Sequence, residues 1–207
     1  MQSSEPPRPR GRPRQFNPDD VLDRAVEVFW ERGYAGASLD DLTAAMRLNR
    51  PSVYAAFGDK HALFLAALDR YGATLGRQPL DAMRRESDPA EGIRAFLGAA
   101  VDLALQGPVP KGCLIACVAS EAAACDADVR QRVRQAIADM EGAVADYLAE
   151  RHATDGPSAV ATAQVLTFVM QGLAIRARAG VPRKELERAG TACLELLARQ
   201  PDAEPSP

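Results

Sequence analysis

Two short helical patterns joined by a tight turn, over residues 38–57, most constrain what this chain can fold into. Ser38 is a good N-cap, and Asp41 stands three residues later, where its carboxylate completes a capping box. The apolar residues that follow recur at helical spacing as far as Met46, and Asn49 then offers a second N-cap. The sequence therefore predicts two helices with a short turn between them.

The second of these helices is expected to be only about two turns long. Pro51 falls in its first turn, where a missing N–H is harmless, and Gly58 ends it. One face is apolar, and the opposite face carries small residues such as Ala55. A helix this short must be held by its neighbours, and its small outer face would fit a DNA major groove. The alternative is an ordinary helical hairpin inside an all-α core.

Helices are also predicted on both sides of this pair. Asn17 caps one that ends at Gly33, and Asp59 caps another that runs to about Gly76. Residues 77–88 then fit a connection or a short helix end. The pair is thus part of a compact helical unit that a fourth helix joins to the rest of the chain.

Residues from about 14 to 71 resemble the DNA-binding domain of the TetR family of bacterial transcriptional regulators. The residues that carry the resemblance together are Ala25 and Phe29 in the first helix, Gly33 and Tyr34 at its end, the Ser38 cap, Tyr54 and Phe57, and Asp59 with Lys60. Two positions differ from the family pattern, since Arg47 stands where a turn glycine is usual and Ala55 where a larger side chain is frequent. The resemblance implies an N-terminal three-helix helix-turn-helix domain and a C-terminal helical bundle that binds a small-molecule effector and forms a homodimer. It also implies double-stranded operator DNA as a partner.

The outer face of the helix pair, its ends and a basic N-terminal arm are where we expect DNA contacts. Arg50 is predicted to read a guanine, while Tyr54 and Lys60 hold phosphates. With small residues facing outward, further readout would rest on thymine methyl groups or on DNA shape. The expected DNA-binding residues are Arg14, Ser38, Arg47, Asn49, Arg50, Pro51, Ser52, Tyr54, Ala55 and Lys60.

Charge is distributed unevenly along the chain. The net charge of −3 and the pI of about 5.5 are low for a nucleic-acid-binding protein taken as a whole. Residues 1–15, however, carry four arginines and one glutamate among several prolines, so we expect a disordered basic arm that lies along the minor groove. A solubilising tail is the alternative. The acidic residues of the first helix are expected to face away from DNA.

The rest of the chain is predicted to be helical as well. Ala, Leu, Arg and Glu fill long stretches with few β-branched runs, so the predicted fold class is all-α. The last two helices, at 157–178 and 182–199, carry excess apolar surface, and the family resemblance implies that they pair with their copies in a dimer. Leu173 is expected at that surface. We divide the chain into the arm at 1–15, a helix-turn-helix domain at 16–75, a ligand-binding and dimerisation domain at 76–200 and a disordered tail at 201–207.

Bulky or soft side chains recur on the C-terminal helix faces that we expect to point inward. Such adaptable side chains suit a ligand with few polar groups, although for any one of them a filled core is an equal alternative. The expected pocket residues are Phe96, Ala100, Cys113, Cys117, Met140, Tyr147, Phe168 and Met170. Arg176 and Arg178, at a helix end, fit a solvated position better than a site for an acidic ligand.

The sequence lacks the motifs of common enzymes, since GxSxG, GxxxxGK[ST] and the dinucleotide glycine fingerprint are all absent. His61 and His152 are not clustered with other metal ligands, so we expect neither a metal nor a cofactor. Cys113 and Cys117 share a helix face, where two small buried residues are a better interpretation than a thiol sensor.

Targeting signals are also absent from the sequence. There is no apolar signal segment, and no window approaches the roughly 18 uninterrupted apolar residues that a spanning helix needs. We therefore expect a soluble cytoplasmic protein without membrane contact. The predicted function is that of a sequence-specific transcriptional regulator, a repressor that a small molecule releases from its operator, and not an enzyme. The alternative is a helical ligand-binding or scaffolding protein without a DNA function.

Overall fold

The computed structural model describes residues 17–151 and 156–198, and within these ranges the chain forms ten α-helices and no β-strand. The all-α prediction is therefore confirmed. The expected basic arm at 1–15, with its Arg14, and the expected tail at 201–207 lie outside the described residues.

Four helices form the N-terminal part: α1 Pro18–Gly36, α2 Leu39–Met46, α3 Arg50–Phe57 and α4 Lys60–Ala73. Each begins at a side chain that accepts a hydrogen bond from a backbone N–H of the first turn, and these caps are Asn17, Ser38, Asn49 and Asp59. Gly33 leaves the helical backbone angles at φ 72°, as a glycine helix end does, although one further turn follows it. The predicted start of every helix in this unit is confirmed.

The segment after α4 is more helical than a simple connection. α4 ends at Ala73, and a 3₁₀ turn, Leu75–Arg77, leads directly into α5, Gln78–Arg84, where the sequence left a connection or a short helix end open. Pro79 indicated a break, but proline in the first turn of a helix has no N–H that needs a partner. Met83 is fully buried in the C-terminal core, so packing holds this short helix in place.

The C-terminal part contains five more helices: α6 Pro89–Ala104, α7 Ser120–Cys125, α8 Ala127–Glu150, α9 Gly156–Arg178 and α10 Arg183–Ala198. A π-helical segment, Ile115–Ala119, runs directly into α7, so the two form one helical stretch. The carboxylates of Asp88 and Asp126 cap α6 and α8.

Two clusters of buried residues hold these helices together. The first gathers apolar side chains from α1 to α4, with Phe29 packed edge-on against Phe64 at a ring distance of 4.9 Å. It also takes in Leu114, before α7, and Val129 of α8. The second joins α5, α6, α8, α9 and α10. The first core therefore extends across the proposed domain boundary at residue 75.

The helix α9 is the most apolar long helix of the described chain. By length and composition alone, Ser158–Arg178 could cross a membrane, and only 33% of its most apolar window is buried. Polar residues such as Gln164 and Gln171 interrupt this helix, so it is not the run of about 18 uninterrupted apolar residues that the sequence analysis excluded. Leu173, which we expected on the outer surface, is 3% exposed and belongs to the second core. The exposed large apolar residues of α9 are Val160, Val165, Phe168 and Ile175.

Candidate nucleic-acid interface and effector cavity

A reciprocal capping box begins α2. The Ser38 hydroxyl accepts from the backbone N–H of Asp41 at 3.1 Å, and Asp41 Oδ2 accepts from the backbone N–H of Ser38 at 3.0 Å. The hydroxyl also donates to Asp41 Oδ2 at 2.6 Å. These bonds from Ser38, helped by the guanidinium of Arg32, lower the pKa of Asp41 below its ordinary value. The box sets where α2 begins, and it occupies the hydroxyl that we expect to contact DNA.

The turn between α2 and α3 passes through Arg47 in a left-handed conformation, with φ 54° and ψ 40°. Among the described residues it is the one non-glycine residue with positive φ. A glycine adopts these angles without the Cβ clash, so the arginine keeps the turn at a cost in backbone strain. Its exposed side chain stands at the entrance to α3.

The helix α3 presents its small face to solvent. Val53 is fully buried and anchors the helix in the first core. The Asn49 side chain accepts from the backbone N–H of Ser52 at 2.9 Å and so sets the first turn. The exposed residues here are Asn49, Arg50, Pro51, Tyr54, which is 47% exposed, and Ala55, while Ser52 is half-buried. These are the positions that helical spacing predicts for the outer face, and their contact with DNA remains a prediction.

Arg50 already has a partner on the neighbouring helix. Its guanidinium donates to Asp40 Oδ1 from Nη2 at 2.8 Å and from Nε at 3.2 Å. Both side chains are more than half exposed, so the pair contributes little to stability and a base can compete with it. Sequence reasoning missed Asp40 because the contact depends on the angle between α2 and α3, which spacing along one helix does not specify.

Lys60 stands at the first turn of α4. Its ammonium lies 4.7 Å from the centre of the Tyr34 ring, which holds the half-buried side chain by a cation–π contact. Asp59 caps the same helix by accepting from the backbone N–H of Ala62 at 2.7 Å. The N-terminus of a helix attracts anions, so this position suits a phosphate.

Several acidic residues of α1 form ion pairs at the protein surface. Asp23 contacts Arg70 of α4 at 2.7 Å, and Glu27 and Glu31 both contact Lys111 in the loop before the π-helical segment. Both basic partners lie outside α2 and α3. These three carboxylates of α1 are therefore paired with groups outside the predicted reading surface, a name that we use for the exposed residues of α2, α3 and the first turn of α4.

A cavity of about 640 Å³ lies between α4, α5 and α8, with an inner wall from α6 and α9. This volume falls within the range of roughly 300–1,000 Å³ that small-molecule sites occupy. The expected pocket residues that line it are Ala100, Cys113, Met140 and Met170.

The other four expected pocket residues lie elsewhere. Phe96 and Tyr147 are buried in the second core, and Cys117 is half-buried outside the cavity wall. Phe168 is 63% exposed on α9, so our expectation that it faces inward was wrong. Because α9 is apolar on both sides, its sequence does not tell the inner face from the outer one.

Charged residues stand at the mouth of the cavity. Asp69 of α4 forms an ion pair with Arg132 of α8, and both line the opening. Sequence reasoning missed this pair because its members are far apart along the chain, and no motif links them. The pair connects the last helix of the N-terminal part directly to the wall of the cavity.

The structure adds detail to two interpretations of the sequence. Arg178 is exposed, as expected, and it also donates from Nη1 to the backbone oxygens of Trp30 at 3.3 Å and Lys111 at 3.0 Å, so it joins α9 to α1. Arg176 is exposed. Burial raises the pKa of the Cys117 thiol, which disfavours the thiolate that a sensor needs.

His61 lies close to other potential metal ligands, although we expected it to stand apart from them. Its Nε2 lies 2.8 Å from Oδ2 of Asp126, and Asp128 completes a group of potential metal ligands that the sequence did not reveal. Asp126 Oδ1 is already used to cap α8. The contact therefore joins the start of α4 to the start of α8. His152 lies outside the described residues.

Two family models match this chain. Residues 21–67 match bacterial regulatory proteins of the tetR family, and residues 89–192 match the C-terminal domain of LmrA/YxaF-like transcriptional regulators. The first match covers the helix-turn-helix unit, and the second covers the cavity-wall helices α6, α8 and α9 and the apolar outer surface of α9.

The chain belongs to the TetR family. It is similar to the HTH-type transcriptional repressor ComR of Escherichia coli strain K12, with 28% identity over 192 residues, which is 90% of this chain and 91% of ComR. It is also similar to the HTH-type transcriptional repressor BdcR of the same strain, with 30% identity over 170 residues, which is 82% of this chain and 83% of BdcR. The likeness therefore includes the C-terminal helices.

Solved TetR-family structures show the same fold. The regulator CifR, in a cysteine-substituted form with 26-base-pair operator DNA, is 33% identical and matches 89% of this chain and 98% of its own, with a TM-score of 0.76. A TetR regulator from Chloroflexus aurantiacus is 27% identical and matches 87% of this chain and 93% of its own, with a TM-score of 0.75. This TetR-family chain is a DNA-binding transcriptional regulator, which excludes the scaffolding alternative.

Proposed function

We propose that this regulator is a homodimeric repressor that leaves its operator when a small molecule fills the cavity. The proposal rests on α4, a single helix that reaches from the predicted reading surface to the cavity wall. Lys60 at its start belongs to the predicted reading surface, while Asp69 and Tyr71 near its end line the cavity. A ligand that prefers one arrangement of α4 therefore shifts the spacing of the reading helices. The similarity to the repressors ComR and BdcR supports repression rather than activation.

A second copy of the chain is proposed to cover the outer faces of α9 and α10. Val165, Phe168 and Ile175 are exposed and fall on one side of α9, since they are spaced by three and seven residues. Leu196 is exposed on α10. Contiguous apolar surface of this kind marks an interaction site. A two-fold dimer would place its two α3 helices on operator half-sites related by the same symmetry.

The proposed DNA contacts follow the exposed positions of α3. Arg50 reads a guanine through O6 and N7, and Tyr54 and Lys60 hold phosphates. Arg14 belongs to an arm that lies in the minor groove. We further propose that the domains divide near residue 75, and that the protein acts in the cytoplasm without enzymatic activity.

Operator binding tests this function directly. Titration with promoter fragments from upstream of its own gene, under rising salt, should show sequence-selective and salt-sensitive binding. Mass spectrometry of the purified protein then identifies a bound metabolite. An effector lowers the affinity of the protein for its operator by some factor. Thermodynamic linkage requires that the operator lower the affinity for the effector by the same factor. Equal ligand affinity with and without operator would contradict regulation through the cavity.

A further inference from the structure

A histidine and two aspartates meet where α4 and α8 begin. Potential ligand atoms of His61, Asp126 and Asp128 all lie within 4.8 Å of one another. His61 and Asp126 are half-buried and Asp128 is exposed, so the group lies at the edge of the protein, within reach of water. One imidazole nitrogen and two carboxylates form a mixed set of nitrogen and oxygen donors, which suits a divalent transition-metal ion.

The spacing of two of these atoms fits a shared ion. Nε2 of His61 lies 2.8 Å from Oδ2 of Asp126, but it is buried, and no aligned hydrogen bond joins it to any of the described residues. A metal ion bonded to both atoms at about 2.1 Å would see them roughly 80–85° apart. This angle is close to the right angle between neighbouring ligands in octahedral coordination.

Negative charge surrounds the nitrogen of His61. Hydrogen bonding by a backbone N–H of α8, with a smaller contribution from His61, lowers the pKa of Asp126, so its carboxylate is ionised. Burial raises the pKa of Tyr34, and the charges of Asp126 and Asp59 raise it further. Within the described residues, neither Asp126 nor Asp128 forms an ion pair with a lysine or an arginine. A protonated imidazole would offset one of the two ligand charges, whereas a divalent cation offsets both.

We propose that Nε2 of His61, Oδ2 of Asp126 and the carboxylate of Asp128 bind one divalent first-row transition-metal ion, with water in the remaining positions. The ion takes the place of a proton on Nε2, and that proton is released to water. Mg²⁺ and Ca²⁺ fit less well, because both prefer oxygen ligands to imidazole. Asp126 Oδ1 stays on backbone N–H groups of α8, which hold this carboxylate in place.

An ion at this site would tie α4 to α8. His61 follows Lys60, which belongs to the predicted reading surface, whereas Asp126 and Asp128 stand at the start of a C-terminal helix. None of the three ligands lines the cavity, so the site is separate from the proposed effector site and does not rest on it. Because the ligands come together only in the folded chain, the ion should stabilise the contact between the two helices.

Titration of the full chain with Mn²⁺ tests the site. Free Mn²⁺ in water gives an electron paramagnetic resonance signal that is lost on binding, and the wild type should bind one ion per chain. His61→Ala and Asp128→Asn should each weaken binding at least about tenfold, because each removes one ligand. Asp126 is left unchanged because it also caps α8. Asp128→Asn, at an exposed position, decides the question if His61→Ala does not fold.

Further measurements separate a built site from diffuse attraction of a cation. Asp146→Asn removes the same charge from another exposed position of α8 and should leave Mn²⁺ binding unchanged. An equal concentration of Mg²⁺ should not displace Mn²⁺, because imidazole is a poor ligand for Mg²⁺. Mn²⁺ should also raise the thermal midpoint of the wild type but not that of His61→Ala, since an ion that binds only the folded chain stabilises it.

Four results would overturn the proposal. The first is the absence of saturable Mn²⁺ binding by the wild type, and the second is unchanged binding in Asp128→Asn. The third is an equal loss in Asp146→Asn, which would assign the effect to net charge. The fourth is displacement of Mn²⁺ by an equal concentration of Mg²⁺, which would exclude the imidazole as a ligand. None of them touches the proposed function, which fails instead when the protein does not bind its operator or when operator affinity is independent of cavity occupancy.

Discussion

The predicted reading surface and the cavity differ in how far apart along the chain their parts lie. The reading surface is built from α2, α3 and the start of α4, within residues 38–60, and each of these helices has its own cap. The cavity wall collects residues between positions 68 and 174 from α4, α5, α6, α8 and α9. Local signals are therefore sufficient to locate the first surface, whereas the packing of distant helices decides the second.

The largest effect is expected when the chain can no longer form a dimer, so that a single reading surface has to bind the operator by itself. Phe168→Glu places a charge on the exposed apolar face of α9 and should leave the monomer folded but unable to pair. A monomer would contact the operator with one α3 helix instead of two, so operator affinity should fall by about 10²–10⁴-fold. Sedimentation velocity measures the association and anisotropy measures the operator affinity.

The control for this variant is Ala138→Glu, which puts the same charge on an exposed position of α8. It should change neither association nor operator binding. A monomeric Phe168→Glu protein that binds operator as tightly as wild type would contradict the dimer. Leu173→Glu is unsuitable for this test, because Leu173 is buried and its substitution should unfold the chain.

The next effect separates two roles within the reading surface. Arg50→Ala should cost about 1–3 kcal/mol of operator binding and relax selectivity at one base position. Lys60→Ala should weaken binding to all sequences alike and lower the salt slope by about one. Competition titrations against single-base operator variants measure both. A change of preferred sequence in Lys60→Ala, or none in Arg50→Ala, would reverse the assignment.

Asp40→Asn sharpens the same comparison. The substitution removes the negative charge that holds Arg50 while leaving the guanidinium in place. Operator affinity should therefore rise slightly for two reasons. Arg50 no longer has to break an ion pair before it contacts a base, and a negative charge that repels the DNA phosphates is removed. The rise should vanish in the double variant with Arg50→Ala if the pair itself is responsible.

The start of each helix in the N-terminal part was predictable because the signals are side chains next to the backbone they cap. Asn17, Ser38 and Asn49 each bond to an N–H two or three residues away, so sequence spacing and spatial contact coincide. For the segment after α4 the sequence left a connection and a short helix end both open, because Pro79 is compatible with a break and with a first turn. Burial of Met83, which decides between them, depends on helices remote in sequence.

The cavity was less predictable for a related reason. Helical spacing finds an apolar face, but it does not say whether that face meets a core, a cavity or a second copy of the chain. Met170 lines the cavity while Phe168, two residues earlier on the same apolar helix, is exposed. The ion pair of Asp69 with Arg132 exists only once α4 and α8 are packed.

A smaller effect is expected at the strained turn of the reading surface. Arg47→Gly removes the Cβ from a left-handed position and should stabilise the fold by about 1 kcal/mol, although the lost cation should weaken operator binding. Arg47→Ala loses the same charge but keeps the strain. Thermal unfolding should therefore separate the two variants, whereas operator titration should not. Equal midpoints would mean that the turn carries no strain.

The smallest effect concerns the capping box of α2 and its dependence on pH. Hydrogen bonds from Ser38 and the charge of Arg32 lower the pKa of Asp41 in the folded state, so folding favours the ionised carboxylate. The resulting stability is fully present above the unfolded pKa, near 3.9, and is lost as pH falls through the lower folded value. Asp41→Asn should therefore lower the thermal midpoint at neutral pH, and the difference from wild type should shrink below about pH 4. Asp146→Asn, at an exposed position of α8, is the control and should show no such convergence. A gap between wild type and Asp41→Asn that stays constant down to acid pH would mean that the box acts through shape alone, and that charge at the start of the reading unit is unimportant for its stability.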